Sequence, residues 1–200
     1  MNVLLIGATG TVGSQVRQQL LEKTTSQITL YARHASRLTP DLQRELVQSS
    51  DITNTKALTE SLQNIDIVIA SLSGDLVKYA QILTTVMKQV GIQRLIFVSS
   101  MGIYNEIPAS VGSSGNVRHN PMLYKYRDSA DIVEQSGLDY TIIRPGWFDW
   151  GTNDYEVTTK NEPFGGHDVS VPAIADLIVK LAMNQYDGHY QSLGINRPFS

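Results

Sequence analysis

The chain contains no cysteine, which excludes disulfides, thiolate zinc sites and a cysteine nucleophile. Its four histidines, His34, His119, His167 and His189, lie far apart without ligand spacing, so no metal site is expected. No apolar stretch approaches the length of a membrane span. Met1–Ile6 looks like a signal start only at first sight, because no basic residues precede it and Gly7 interrupts it. Charge of one sign is also lacking: 16 basic against 19 acidic residues leave a net charge of −3, with no field to attract nucleic acid or an anionic membrane. These absences point to a cytoplasmic globular protein whose partner is a small molecule or another protein. With 42% apolar residues over 200 positions, the chain can bury one α/β core.

Apolar runs alternate with helical patterns along the whole length. Strands are expected at 2–6, 27–32, 45–48, 65–70, 94–99 and 140–144, with a last one near 190–195. Helices are expected from Thr11, from a cap at Thr53 or Asn54 to about Gln63, from Leu76 to Val90 with Gly91 as the stop, from Pro121 to about Gln135, and over 171–183. Residues 105–120, rich in Gly, Ser, Asn and Pro, read as a mobile loop, and 161–166 as a turn. This order predicts a single Rossmann-type domain over 1–200: a doubly wound, mostly parallel sheet with helices on both faces and a small substrate-side segment from about 145.

Gly7-Ala-Thr-Gly10-Thr-Val-Gly13 joins the first strand to the first helix. A dinucleotide site requires glycine at such a turn, because the backbone must approach a pyrophosphate and the helix N-terminus then faces it. The spacing G-x-x-G-x-x-G differs from G-x-G-x-x-G, and the alternative is a glycine turn without a ligand, but strand, loop and helix are all in place here and favour binding. At the end of the second strand an acid would bind the ribose 2′-hydroxyl of NAD. Ala32-Arg33-His34 stands there instead, so NADP is favoured and NAD remains possible, unless Arg33 and Arg37 are simply solvated. Asp51-Ile52 follows the third strand, where it meets an adenine or else provides a capping aspartate and a core isoleucine.

These residues, with Arg94-Leu-Ile-Phe-Val-Ser-Ser100 and Ser136-Gly-Leu-Asp-Tyr-Thr-Ile-Ile-Arg-Pro-Gly146, resemble the atypical short-chain dehydrogenase/reductases. The branch is the NmrA-like NAD(P)H-binding one that includes flavin reductase and biliverdin reductase B-type proteins. The resemblance implies that Gly7, Thr9, Gly10, Thr11 and Val12 hold the diphosphate, with Gly13 completing the cofactor-binding loop by letting helix and strand pack closely, Arg33 the 2′-phosphate, and Asp51 and Ile52 the adenine. It implies that Ser71, Leu72 and Ser73 run beside the nicotinamide ribose, that Ser99 and Ser100 face the nicotinamide, and that Pro145, Gly146 and Trp147 border its far side.

The family's Tyr-x-x-x-Lys dyad is missing: none of the nine tyrosines has lysine four residues later. Tyr124, Lys125, Tyr126 and Arg127 offer the right groups at the wrong spacing. Ser100, Tyr124, Lys125 and Arg127 are therefore the catalytic candidates, against the alternative of a polar surface helix. His119 is a weaker candidate proton donor. Trp147-Phe-Asp-Trp150 either walls a pocket for a planar substrate or packs a C-terminal segment onto the sheet. Longer relatives carry a C-terminal substrate domain. Here residues 146–200 follow the sixth strand, so the pocket is expected to be small, open or completed by another subunit. The reading is an NADPH-dependent reductase of a small conjugated acceptor, flavin or quinone in type, which can take its proton from solvent. The alternative is a non-catalytic NADP-binding redox sensor acting through a protein partner.

Overall fold

The apolar runs become inner strands because successive side chains enter cores on opposite faces of one sheet. A computed structural model describes all 200 residues. Its elements are β1 (Asn2–Ile6), α1 (Thr11–Lys23), β2 (Gln27–Ala32), β3 (Glu45–Ser49), α2 (Thr55–Ser61), β4 (Ile67–Ala70), α3 (Leu76–Val90), β5 (Arg94–Val98), α4 (Tyr124–Glu134), β6 (Asp139–Pro145), β7 (Trp147–Asp149), β8 (Glu156–Thr158), β9 (Asp168–Ser170), α5 (Val171–Ala182) and β10 (Gln191–Asn196). Val3, Leu5, Ile28, Leu30, Ile67 and Ile69 pack on α1 and α5. Their neighbours Leu4, Ile6, Tyr31, Val68 and Ala70 pack on the opposite face with α2, α3 and α4. Burying such aliphatic side chains contributes roughly 1.5–3 kcal/mol each, and strands covered on both faces must be apolar throughout.

The strand order is β3-β2-β1-β4-β5-β6-β10-β8, with β7 and β9 forming a separate two-stranded ribbon. All pairs are parallel except β10 with β8. This is the doubly wound architecture expected from the sequence. The order reverses between β1 and β4, and the parallel strands carry their carboxyl ends to one edge, where such folds bind ligands. Local chemistry sets the helix ends. The Asn54 side chain accepts from Ala57 N at 3.1 Å and starts α2. Gly91, at φ +83°, ends α3 in the left-handed region that glycine enters freely.

Several expectations change. Residues 105–120 form an irregular connection, as expected, and it is anchored at its base. Asn116 is fully buried, donates to Ile107 O at 2.8 Å and accepts from Ile107 N at 2.9 Å, while Ile107 and Val117 are buried beside it. The fourth strand begins at Ile67; Asp66 before it donates its amide to Asn2 O at 2.9 Å and accepts from Asn2 N through its side chain. The helix expected from Pro121 starts as a 3-10 turn over Pro121–Leu123 and becomes α-helical at Tyr124. The strand expected from Tyr190 starts at Gln191, since Tyr190 has φ +58°.

Candidate cofactor and acceptor site

The turn after β1 is built so closely that only glycine fits at two positions. Gly7 has φ +86°, and a Cβ there would collide with Ser71 O at the end of β4. A Cβ on Gly13 would collide with Gly7 O, so α1 packs directly on the turn. Gly10 is different. Its φ of −82° and ψ of 170° suit any residue, and its Cβ would stand 3.2 Å from Gly7 O. It caps α1 without a side-chain bond, and the first turn carries no acid. The helix start therefore keeps its partial positive charge for a ligand. Thr9 and Gly10 are exposed at the rim. Thr11 is exposed, whereas the Val12 side chain belongs to the core, so Val12 and Gly13 have only backbone to offer.

Around this turn lies a recess of about 150 Å³ lined by the ends of β1, β2, β3 and β4. Gly7, Thr9, Gly10, Arg33, Asp51, Ile52, Ser71, Leu72 and Ser73 meet there, joined by Tyr31 and Tyr79. The structure puts Ser71–Ser73 in this first recess. Arg33 is exposed at its rim and bonded to no carboxylate. Asp51 turns its carboxylate onto Thr53, accepting from the amide at 2.9 Å and the hydroxyl at 2.7 Å. Those two bonds hold its pKa below the ordinary carboxylate range. Tyr31 donates its hydroxyl to Asp51 O at 3.0 Å, and burial raises its pKa. Ile52 is buried, so its side chain is partly core as well as recess wall. A cradle closed to Cβ atoms, an unneutralised helix start and a free arginine fit a phosphate-bearing dinucleotide.

A second recess, of about 330 Å³, opens at the ends of β5 and β6 along the same edge. Ser99, Ser100, Met101, Tyr126, Pro145, Gly146, Trp147 and Phe148 line it. Ser99 Oγ donates to Tyr126 O at 3.3 Å, tying α4 to the end of β5. Ser100 Oγ donates to Met101 O at 3.1 Å. The Trp147, Phe148 and Trp150 rings are exposed by 63%, 49% and 68%, so this segment does not pack them onto the sheet. Trp147 instead stacks on His167, with centroids 5.5 Å apart and planes at 14°.

Of the helix candidates, the structure brings only Tyr126 into this recess, the one tyrosine of the cluster outside the catalytic candidates. Tyr124 is exposed on the first turn of α4. Lys125 places Nζ 5.3 Å from the Tyr126 ring centroid. Arg127 points elsewhere: its Nε donates to Asp131 at 2.8 Å and an Nη to Ile103 O at 3.1 Å. His119 is exposed and lines neither recess.

The model of an NAD(P)H-binding family matches residues 7–185. This chain belongs to that family. A Rossmann-fold NAD(P)-binding family protein from Shigella flexneri is 35% identical, with a TM-score of 0.84 over 100% of this chain and 94% of that chain. A short-chain dehydrogenase/reductase from Veillonella parvula in complex with NADP shares the fold at a TM-score of 0.88 and 24% identity, over 99% of this chain and 95% of that one. An NAD(P)H azoreductase from Xenophilus azovorans is 25% identical over 150 residues, 73% of this chain and 48% of that protein. The chain thus spans about half the length of that curated relative.

This NAD(P)H-binding protein has one more built feature beside the second recess. Arg144, on β6, is fully buried and pairs with Glu106. It donates to Ser192 Oγ at 3.1 Å and Thr159 O at 2.9 Å. Glu106 also accepts from Gly102 N at 3.1 Å and Tyr104 N at 2.7 Å, holding the chain that leaves Ser99 and Ser100. Burial raises the Tyr104 pKa, and the Arg127, Arg144 and Lys160 cations lie 4.6, 5.3 and 4.5 Å from its ring centroid. An arginine at the end of an apolar strand is the signal in the sequence, because a buried charge needs a partner. Glu106 stands 38 positions earlier, where no local pattern marks it.

Proposed function

We propose that the protein is an NADPH-dependent reductase that passes hydride to a small, planar, conjugated acceptor. One observation carries this reading: a dinucleotide recess and an open, aromatic-walled recess occupy neighbouring strand ends on the same edge. The Gly7–Gly10 backbone and the start of α1 would hold the diphosphate. Arg33 would take the 2′-phosphate, for which its planar fork of donors is suited. Ile52, Leu72 and Tyr79 offer an apolar wall to the adenosine end. Ser99, Ser100, Pro145 and Gly146 would border the nicotinamide. When bound, the reduced cofactor supplies the hydride. The chain's contribution is to hold the two reactants in contact, which is most of what hydride transfer requires. Trp147 and Phe148 present ring faces against which a flat acceptor stacks.

The NADP-bound Veillonella relative supports the choice of cofactor, and the azoreductase relative adds azo compounds to the flavin and quinone acceptors already considered. The test is to mix the protein with NADPH and a panel of flavins, quinones, dichlorophenolindophenol and azo dyes, following the cofactor's absorbance. Oxidation above the protein-free rate is expected with at least one acceptor. Tight NADPH binding without turnover of any acceptor would overturn the reductase and favour the redox sensor.

A further inference from the structure

We infer that Arg197 is a positioning residue of the second recess: it clamps the β7–β9 ribbon so that the Trp147 ring stands as the wall on which a flat acceptor stacks. The acceptor is that of the reductase reading above, on which this rests, while the placement of the ribbon can be read without turnover.

β7 and β9 have three residues each and pair only with one another. A two-stranded ribbon of that size is not stable by itself in water. It also has little core to lean on. Val169 is buried, but Trp147 and Phe148 on the facing strand are exposed. Two rings that wall the recess nevertheless ride on this ribbon. The wall must keep its direction if an acceptor is to lie flat against a nicotinamide.

Arg197, one residue past the end of β10, supplies the missing hold. Its guanidinium takes Asp149, at the end of β7, through two bonds: Nη2 donates to Oδ2 at 2.6 Å and Nη1 to Oδ1 at 3.3 Å. Nη2 also lies 3.9 Å from the carboxylate of Asp168, at the start of β9, and the Arg197 amide donates to Asp168 O at 2.6 Å. One residue thus grips both strands. The backbone makes room for it on two sides, since a Cβ on Gly151 would collide with the guanidinium and one on Gly166 with Arg197 O. Ion pairs at a surface contribute little to stability, so the duty of this one is geometric: two parallel bonds fix direction as well as distance. What they fix is the register of Trp147 against β9. Trp147 N donates to His167 O at 2.8 Å, and its ring stacks on the His167 ring, which leaves the opposite face for an acceptor.

The chain has two tryptophans, Trp147 and Trp150, and in a Trp150→Phe background the emission comes from Trp147 alone. Arg197→Gln is expected to shift that emission to the red and to expose it to acrylamide quenching, as the ring leaves His167. In turnover with NADPH and a naphthoquinone, Arg197→Gln should raise the quinone KM about tenfold and change kcat by less than about threefold, the pattern of a lost binding contact. NADPH affinity by calorimetry should stay within about twofold of wild type, because the first recess is built from other strand ends. Asp149→Asn should reproduce these effects from the other side of the pair. Arg197→Lys should recover part of each, since an ammonium keeps the charge without the fork. Unchanged Trp147 emission, an unchanged quinone KM, or a matching loss of NADPH affinity overturns the clamp and leaves the reductase standing. A wild type that reduces no acceptor overturns the reductase, and the Trp147 emission then decides the clamp by itself.

Discussion

Gly13 lies so close to Gly7 that the carbonyl oxygen of one occupies the space a Cβ of the other would need. The two glycines therefore have a structural duty that Gly10 does not share. Gly13→Ala should destabilise the fold by about 1–3 kcal/mol through overpacking. Gly7→Ala should cost at least as much, because its left-handed backbone adds strain. Gly10→Val leaves an accessible backbone conformation and intrudes on the recess, so it should remain folded and lose NADPH binding. Thermal melts by circular dichroism, paired with calorimetric titration of NADPH, separate the two outcomes. A Gly10→Val protein that binds normally would show that the diphosphate lies elsewhere.

Arg33 stands free at the recess rim while Asp51 spends its carboxylate on Thr53. NADPH should accordingly bind more tightly than NADH. Arg33→Asp should weaken NADPH binding by about 1.5–3 kcal/mol, the range for hydrogen bonds to charged groups, and affect NADH much less. Equal wild-type affinities for the two cofactors would count against the 2′-phosphate role.

The Arg144–Glu106 pair is buried on both sides, with side-chain exposures of 0% and 4%. Removing one partner strands a charge, so Arg144→Met or Glu106→Gln should each cost about 3–5 kcal/mol. Arg144→Met combined with Glu106→Gln should cost less than the sum of the two single losses. Urea denaturation of the three variants measures this, and strictly additive losses would show that the pair is not coupled.

Asp176 on α5 accepts from Lys23 of α1 at 2.7 Å and from Tyr155 at 2.9 Å, and pairs with Lys180 at 2.7 Å. Burial pushes its pKa up, but the bonds from Lys180, Lys23 and Tyr155 outweigh this and leave it at about 2. A depressed folded pKa contributes stability above the unfolded value of about 4, and that contribution is lost as pH falls toward 2. Both lysine partners are nearly half exposed and the carboxylate itself is partly so, and solvent screening discounts the contribution to roughly 1 kcal/mol or less. Melting temperatures of wild type and Asp176→Asn should differ at pH 6 and converge near pH 2. A gap that persists at pH 2 would mean that the loss is one of packing.

The sheet and its helices were legible because each carries a periodic local signal. Leu76, Ala80, Leu83 and Met87 mark one buried face of α3, and Gly91 stops it as its residue type foretells. The three-residue strands β7, β8 and β9 were not legible. Their pairing joins Trp147 to Asp168 and Gly194 to Thr158, and runs that short have no periodicity. The glycine turn could be read because its chemistry is contiguous in sequence. Tyr126 and Arg127 could not be told apart, since neighbours on a helix point about 100° apart and only the docking of α4 decides which faces the recess. Glu106 was hidden differently, by the 38 positions that separate it from Arg144.

The two ends of the sheet differ in how they meet other molecules. β8 exposes only three residues of unpaired backbone, too few to template another chain. β3 offers five, carries neither lysine nor proline, and holds Leu46 at 72% exposure with Leu42 at 89% just before it. Edge-to-edge aggregation at high concentration is therefore directed to β3. A lysine at position 46 would guard that edge without touching either recess, giving a more soluble protein for crystallisation or calorimetry.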